Sequence, residues 1–225
     1  MIAYDVQPTT LIAVLGGTGQ QGRGLARRFA RAGQRVVIGS RDPERARAAV
    51  AAWPDAGRAI DVADNRTAVA QADITILAVP FHTVAALLDE VRPDFQSGSL
   101  AIDVIVPVAF ASGTMSMLHV PEGSAAEHVR ARLPESVRLA GTFKTIPAHL
   151  LGELDRPLDC DEFVCGDSEE ARTEAAALMQ LLRGVRPIDV GPLSRARSIE
   201  HLTALAIAIN RRHKIHDARF RVVGF

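Results

Sequence analysis

Apolar residues in the first half of the chain fall into short, uninterrupted runs: Leu11–Leu15, then residues 35–38, 59–62, 74–79 and 100–105. Several of these runs are apolar throughout rather than alternating, which is how strands buried on both faces of a parallel sheet read. Between them lie residues 20–32, 43–52, Asn65–Gln71 and Phe81–Val91, all of helical length and rich in alanine or arginine. Pro43 stands where a helix tolerates proline, at its first position, and Asp42 before it is the predicted N-cap. The alternation of strand and helix predicts an α/β protein with a Rossmann-type, doubly wound, mostly parallel sheet and right-handed crossovers.

The rhythm breaks over residues 106–123, where Pro107, Gly113, Pro121 and Gly123 stand among small polar residues. This stretch reads as a long loop at the carboxyl edge of the sheet, where such folds bind ligands. A helix over 124–133 and a strand over 137–141 follow. Two more short strands, 162–166 and 187–190, flank a helix over 168–183. A last helix is predicted from Leu193 to Ile215. Its centre is nearly all apolar, so burial is expected, and its basic end, Arg211-Arg212-His213-Lys214, suits a helix C-terminus. Residues 1–142 therefore read as the dinucleotide-binding domain. Residues 143–225 read as a small C-terminal α/β extension that closes a cleft and ends in a long buried helix.

Composition narrows the function classes. Lys and Arg number 26, as do Asp and Glu. A nucleic-acid binder carries a basic excess, as does a protein held electrostatically on a membrane, and this chain has none. The longest apolar stretch, residues 202–209, falls far short of the roughly 20 residues a membrane span needs. The N-terminus lacks the basic and apolar regions of a signal peptide. Cys160 and Cys165 read as two small buried thiols rather than a secreted protein's disulfide. A cytoplasmic location is expected.

Gly17-Thr18-Gly19-Gln20-Gln21-Gly22 matches G-x-G-x-x-G. The string gains meaning from its setting, directly after an apolar strand and at the start of a helix. Gly17 is expected to permit the tight turn, Gly19 to let the backbone approach a pyrophosphate, and Gly22 to let helix and strand pack closely. The helix N-terminus then offers free N–H groups to phosphates. At the end of the second strand, a site for NAD usually carries Asp or Glu for the ribose 2′-hydroxyl. This chain has Gly39-Ser40-Arg41 instead. A hydroxyl and a guanidinium suit a 2′-phosphate, so NADP(H) is the expected cofactor. Arg45, in the first turn of the next helix, is placed to reach the same phosphate.

The glycine loop followed by Val37-Ile38-Gly39-Ser40-Arg41 resembles the NADPH-dependent coenzyme F-420 reductases. Further matching segments are Ser124-Ala125-Ala126-Glu127, Lys144-Thr145-Ile146-Pro147-Ala148, Val164-Cys165-Gly166-Asp167 and residues 187–193. The resemblance runs in order over nearly the whole chain. It implies direct hydride transfer between NADPH and a deazaflavin, coenzyme F-420, lying in a cleft between the Rossmann part and the C-terminal part. It also implies that Thr18, Ser40, Arg41 and Arg45 hold NADP. Val79 and Pro80 would flank the nicotinamide, and Val106, Lys144, Ile146 and Pro147 would line the deazaflavin side. A homodimer is what the family suggests, and the apolar last helix suits either an interface or a core.

Hydride transfer between two stacked rings needs alignment and exclusion of water more than acid–base help. The candidates for chemistry are accordingly few. Lys144 is the candidate catalytic residue, able to stabilise charge on a reduced ring or to donate a proton. A surface lysine at a strand end is the plainer reading. The archaeal family pattern carries His at this position, which motivates an alternative: an NADPH-dependent reductase of a small carbonyl or imine. A third reading is a non-catalytic NADP-binding redox sensor. His82 follows the fourth strand near the expected nicotinamide, or is a helix N-terminal residue without a chemical role. His119, His149 and His201 stand alone, and His213 and His216, three apart, have no Cys or Glu to complete a zinc-like set, so no metal is expected.

Overall fold

The structure is a computed structural model that describes residues 10–54, 60–111 and 114–224. The readings made on residues 1–9 and the start of the third strand at Ala59 lie outside the described residues. The first strand and helix are β1 (Leu11–Leu15) and α1 (Gln20–Arg31), followed by β2 (Arg35–Ser40), α2 (Pro43–Ala51), β3 (Ile60–Asp64) and α3 (Asn65–Gln71). Then come β4 (Ile74–Leu77), α4 (Phe81–Val91) and β5 (Leu100–Asp103). Every residue of β1, β4 and β5 is buried, as the unbroken apolar runs require. Asp42 caps α2 by accepting from the Arg45 amide at 3.0 Å, with Pro43 at the first helical position.

The stretch expected to be one long loop contains an antiparallel hairpin, β6 (Val108–Ala111) and β7 (Thr114–Met117). Its Val, Phe and Met residues supply strand propensity that the surrounding Pro and Gly obscured. After it come α5 (Ala125–Arg130), β8 (Arg138–Gly141), the short α6 (Ala148–Gly152), β9 (Cys160–Gly166), α7 (Glu169–Gln180), β10 (Val185–Pro192) and α8 (Ala196–His213).

One eight-stranded sheet runs in the order β10-β9-β8-β5-β4-β1-β2-β3. All neighbours are parallel except β8 and β9. The order reverses between β1 and β4, so the crevice outside their carboxyl ends is where a doubly wound sheet binds its ligand. The expected boundary after residue 142 does not interrupt the sheet. β9 and β10 extend it, and the core on one face unites Ile12, Phe29 and Ile76 with Phe143, Leu150, Val164 and Leu178. Phe29 and Phe143 meet edge to face at 5.9 Å.

The last helix is present, but the burial expected for it is not. Its buried residues are Ala196, Ile199, Glu200 and Ala206, whereas Leu205 is 50 % exposed. α8 packs against α5, β7 and the turn of residues 193–195 before it, and these leave part of its apolar surface open. Beside it the hairpin exposes Phe110.

Candidate active site

The turn after β1 is built by crowding. Gly16 takes a left-handed φ of 84°, and a Cβ there would meet Ala78 O at 2.4 Å. A Cβ on Gly17 would strike Ile38 of β2, and one on Gly22 would strike Gly16 O at 2.6 Å. The turn conformation thus belongs to Gly16 rather than Gly17, while Gly22 has the close-packing role expected of it. Gly19 meets only Gly16 O, at 3.3 Å, so its other side is open to an approaching group.

Helix ends around this turn divide into two kinds. α2, α3, α5 and α7 are capped by Asp42, Asp64, Ser124 and Ser168. α1, α4 and α6 begin at Gly19, Pro80 and Pro147 with no side-chain cap, and their first turns line the crevice. Uncapped N–H groups with a partial positive charge are what an anionic ligand uses.

The crevice has two lobes that share Gly19, Ala78, Val79 and Pro80. One lobe, of about 630 Å³, is walled by Gly16, Thr18, Gly39, Ser40, Arg41 and His82, with Asn65, Thr83, Ala86, Leu87 and Glu90 completing it. The other, of about 460 Å³, is walled by Gln20 and Gln21, residues 104–106, residues 144–148, and Thr203, Ala206, Ile207 and Asn210 of α8. Thr18, Ser40, Arg41, Val79, Pro80 and His82 are thus brought together, and Val106, Lys144, Ile146 and Pro147 face them across the shared ridge. Arg45 stands exposed on α2 and lines neither lobe. His82 belongs to the lobe of Ser40 and Arg41. The Ser40 hydroxyl donates to Asp42 O at 3.0 Å and accepts from the Asp42 amide at 3.1 Å, which fixes the loop after β2.

Lys144 is neither a surface lysine nor a free acid. Its side chain is wholly buried. Nζ donates to Asp103 Oδ2 at 2.6 Å, to Ile105 O, and to Glu200 Oε1 at 3.3 Å. The three protons of the ammonium are thereby committed inside the protein. Burial alone would lower its pKa, but Asp103 and Glu200 outweigh burial and hold it above the ordinary value. Burial in turn raises the Glu200 carboxyl, partly offset by Lys144. An ammonium held so firmly is a poor proton donor, so the geometry gives Lys144 the task of tying β5 and α8 to the loop after β8. Sequence reasoning missed Asp103, Glu200 and Glu162. The available signal was a carboxylate inside or just ahead of an otherwise apolar run.

Fold, glycine turn and crevice together define a Rossmann-type dinucleotide-binding protein, with Ser40 and Arg41 where an NAD site would carry a carboxylate. Residues 11–107 match the family described as NADP oxidoreductase, coenzyme F420-dependent. The F420-dependent NADP reductase of Methanothermobacter thermautotrophicus is 41 % identical over 95 % of this chain and 94 % of its own. That of Methanocaldococcus jannaschii is 35 % identical over 95 % and 98 %. A crystal structure from Arthrobacter sp. fb24, provisionally assigned as an F420-dependent NADP reductase, superposes with a TM-score of 0.82 at 27 % identity, covering 94 % of this chain and 98 % of that one. The chain belongs to the F420-dependent NADP reductase family.

Proposed function

We propose that this protein is an oxidoreductase that transfers a hydride between NADPH and the deazaflavin coenzyme F420. The observation that carries the reading is the two-lobed crevice at the topological switch point. It offers a polar lobe with Ser40 and Arg41 and a second lobe walled by Val104, Ile105, Ile146, Ala206 and Ile207, meeting at Gly19, Val79 and Pro80. The residues fit NADP: an open Gly19, an uncapped α1 and a guanidinium beside Ser40. The two coenzymes, when bound, supply the hydride donor and acceptor. The chain's part would be to hold the two rings against each other and keep water out, a task for Val79, Pro80, Ile146 and Pro147.

Reduction of a carbonyl or imine by hydride from NADPH, with Lys144 as the proton donor, has no support in this geometry, because Nζ is spent on Asp103, Ile105 and Glu200. The protein is further proposed to work as a homodimer. Leu205 on α8 and Phe110 on the adjoining hairpin are exposed apolar side chains of the kind a second copy would bury. No helix among the described residues is long and apolar enough to cross a membrane. The free, buried thiols of Cys160 and Cys165 fit the reducing conditions of cytoplasm. The test of the reaction is to mix protein, NADPH and oxidised F420 and follow both absorbances. Consumption of NADPH only when F420 is present supports the reading, and an inert mixture with NADPH bound refutes it.

A further inference from the structure

The wall of the second lobe is a loop, residues 143–147, held in an unusual shape. Phe143 has a left-handed φ of 54°, costly for a residue with a side chain. Three elements hold it there. Gln21 Nε2, in the first turn of α1, donates to Phe143 O at 2.7 Å. Thr203 Oγ1 of α8 donates to Lys144 O at 2.9 Å. Glu162 of β9 takes the rest: Oε1 accepts from the Lys144 amide at 2.9 Å, and Oε2 is hydrogen-bonded to Thr145 Oγ1.

Glu162 is fully buried. The other buried carboxyls among the described residues each have a cationic partner: Lys144 for Asp103 and Glu200, Arg186 for Asp161, Arg138 for Glu174. Glu162 has no such ion pair among the described residues. A buried carboxyl held by hydrogen bonds with no direct ion pair among the described residues is an expensive way to hold a loop, and a neutral amide would make similar bonds.

We propose that Glu162 is a positioning residue for the transfer reaction, setting through its protonation state both the shape of the 143–147 wall and the direction of the Thr145 hydroxyl. An ionised Glu162 accepts the Thr145 proton and turns the hydroxyl inward. A protonated Glu162 donates to Thr145 Oγ1 and leaves the hydroxyl proton for another acceptor. Thr145 lines the lobe, so the wall changes its hydrogen-bonding polarity between the two states. Burial pushes the Glu162 carboxyl up to about 7, against the bonds from Thr145 and the Lys144 amide. The exchange therefore falls in the neutral range. Charged and titratable groups around it are Lys144 on the same loop, with Asp103 and Glu200 beyond it, and Cys160 on its own strand. Arg28 of α1 and Arg219 and Arg221 of the C-terminal tail act on that same Cys160 position.

The inference rests on reading this lobe as the F420 site, and one experiment separates the two. Wild type, Glu162→Gln and Thr145→Val are compared from pH 5.5 to 8.5 by F420 fluorescence titration, NADPH titration, steady-state turnover and thermal unfolding. Wild type that neither binds nor reduces F420 refutes the F420 reading itself. Otherwise, Glu162→Gln should bind NADPH within about twofold of wild type. It should lose about tenfold in kcat/KM for F420, the worth of one charge-assisted hydrogen bond. The inflexion near pH 7 in F420 affinity and in kcat/KM should vanish. Thr145→Val, which keeps the shape and removes the hydroxyl, should lose the same inflexion and decides the matter if Glu162→Gln does not fold. The melting temperature of wild type should fall as pH rises from about 5 to about 7, where a carboxyl with a raised pKa must give up its proton, more than that of Glu162→Gln. Retention of the wild-type inflexion in either folded variant overturns the proposal.

Discussion

Replacing Lys144 with Met separates a structural from a chemical role for the most suggestive residue in the crevice. The substitution keeps the length of the side chain and removes the ammonium. Two buried carboxylates then lose their shared cation. Asp103 keeps one partner, the Ile105 amide at 3.0 Å, and Glu200 keeps the Ala125 and Ala126 amides at 3.2 and 3.4 Å. Removing one member of a buried ion pair costs about 3–5 kcal/mol. The remaining amide donors put this case at the lower end, about 3 kcal/mol. For a chain of this length each kcal/mol moves Tm by about 2–4 °C, so a loss of about 6–12 °C is expected at pH 7. The deficit should shrink toward pH 5, because burial already raises the Glu200 carboxyl, and without Lys144 to offset it this group regains stability as it takes up a proton. Differential scanning fluorimetry over that pH range reads both effects. The reasoning is refuted if Lys144→Met melts like wild type at every pH yet no longer transfers a hydride, since Nζ would then act on a ligand and not on Asp103 and Glu200.

Other perturbations test the polar lobe and the apolar face. Arg41→Ala should raise the Kd for NADPH about tenfold, the loss of one charge-assisted hydrogen bond of about 1.5 kcal/mol, and leave NADH binding unchanged. Equal losses for the two cofactors, measured by fluorescence titration, would remove Arg41 from 2′-phosphate recognition. Leu205→Glu should convert a dimer to a folded monomer on light scattering coupled to gel filtration. A dimer surviving the substitution would place the interface elsewhere.

Much of the fold is legible in the sequence, and the reasons are local. β1, α3 and α4 appear at their expected bounds because each is a run of one periodicity between turn or capping residues. Asp42-Pro43 marked the start of α2 for the same reason. Thr18, Ser40, Arg41 and His82 fall on one lobe and Val106, Lys144, Ile146 and Pro147 on the other, though Arg45 on neither, because strand ends in a doubly wound sheet converge at one place whatever the loops do. What stayed hidden depends on distant partners. Burial of Lys144, Asp103, Glu200 and Glu162 is decided by β5, β9 and α8 closing on one loop, and the isolated letters do not say so. α6 is five residues long and begins at a proline, too short to show a period. The apolar centre of α8 reads as core, yet an uncovered face has the same composition as a buried one. Arg28 is a further case. It sits among the arginines of α1, but it is buried and donates to Leu150 O, Leu151 O, Glu153 O and Arg156 O. It thereby supplies the end of α6 with the cation and donors that a helix C-terminus favours.

The central claim is that the crevice brings two coenzymes together for direct hydride transfer, and isotope transfer tests it most directly. NADPH carrying deuterium at C4, prepared separately in each stereochemical form, is incubated with the protein and oxidised F420, and the reduced deazaflavin is analysed by mass spectrometry. The account predicts that one of the two forms delivers its deuterium to the deazaflavin ring without exchange with water. Reduced deazaflavin that carries no deuterium from either form would contradict it.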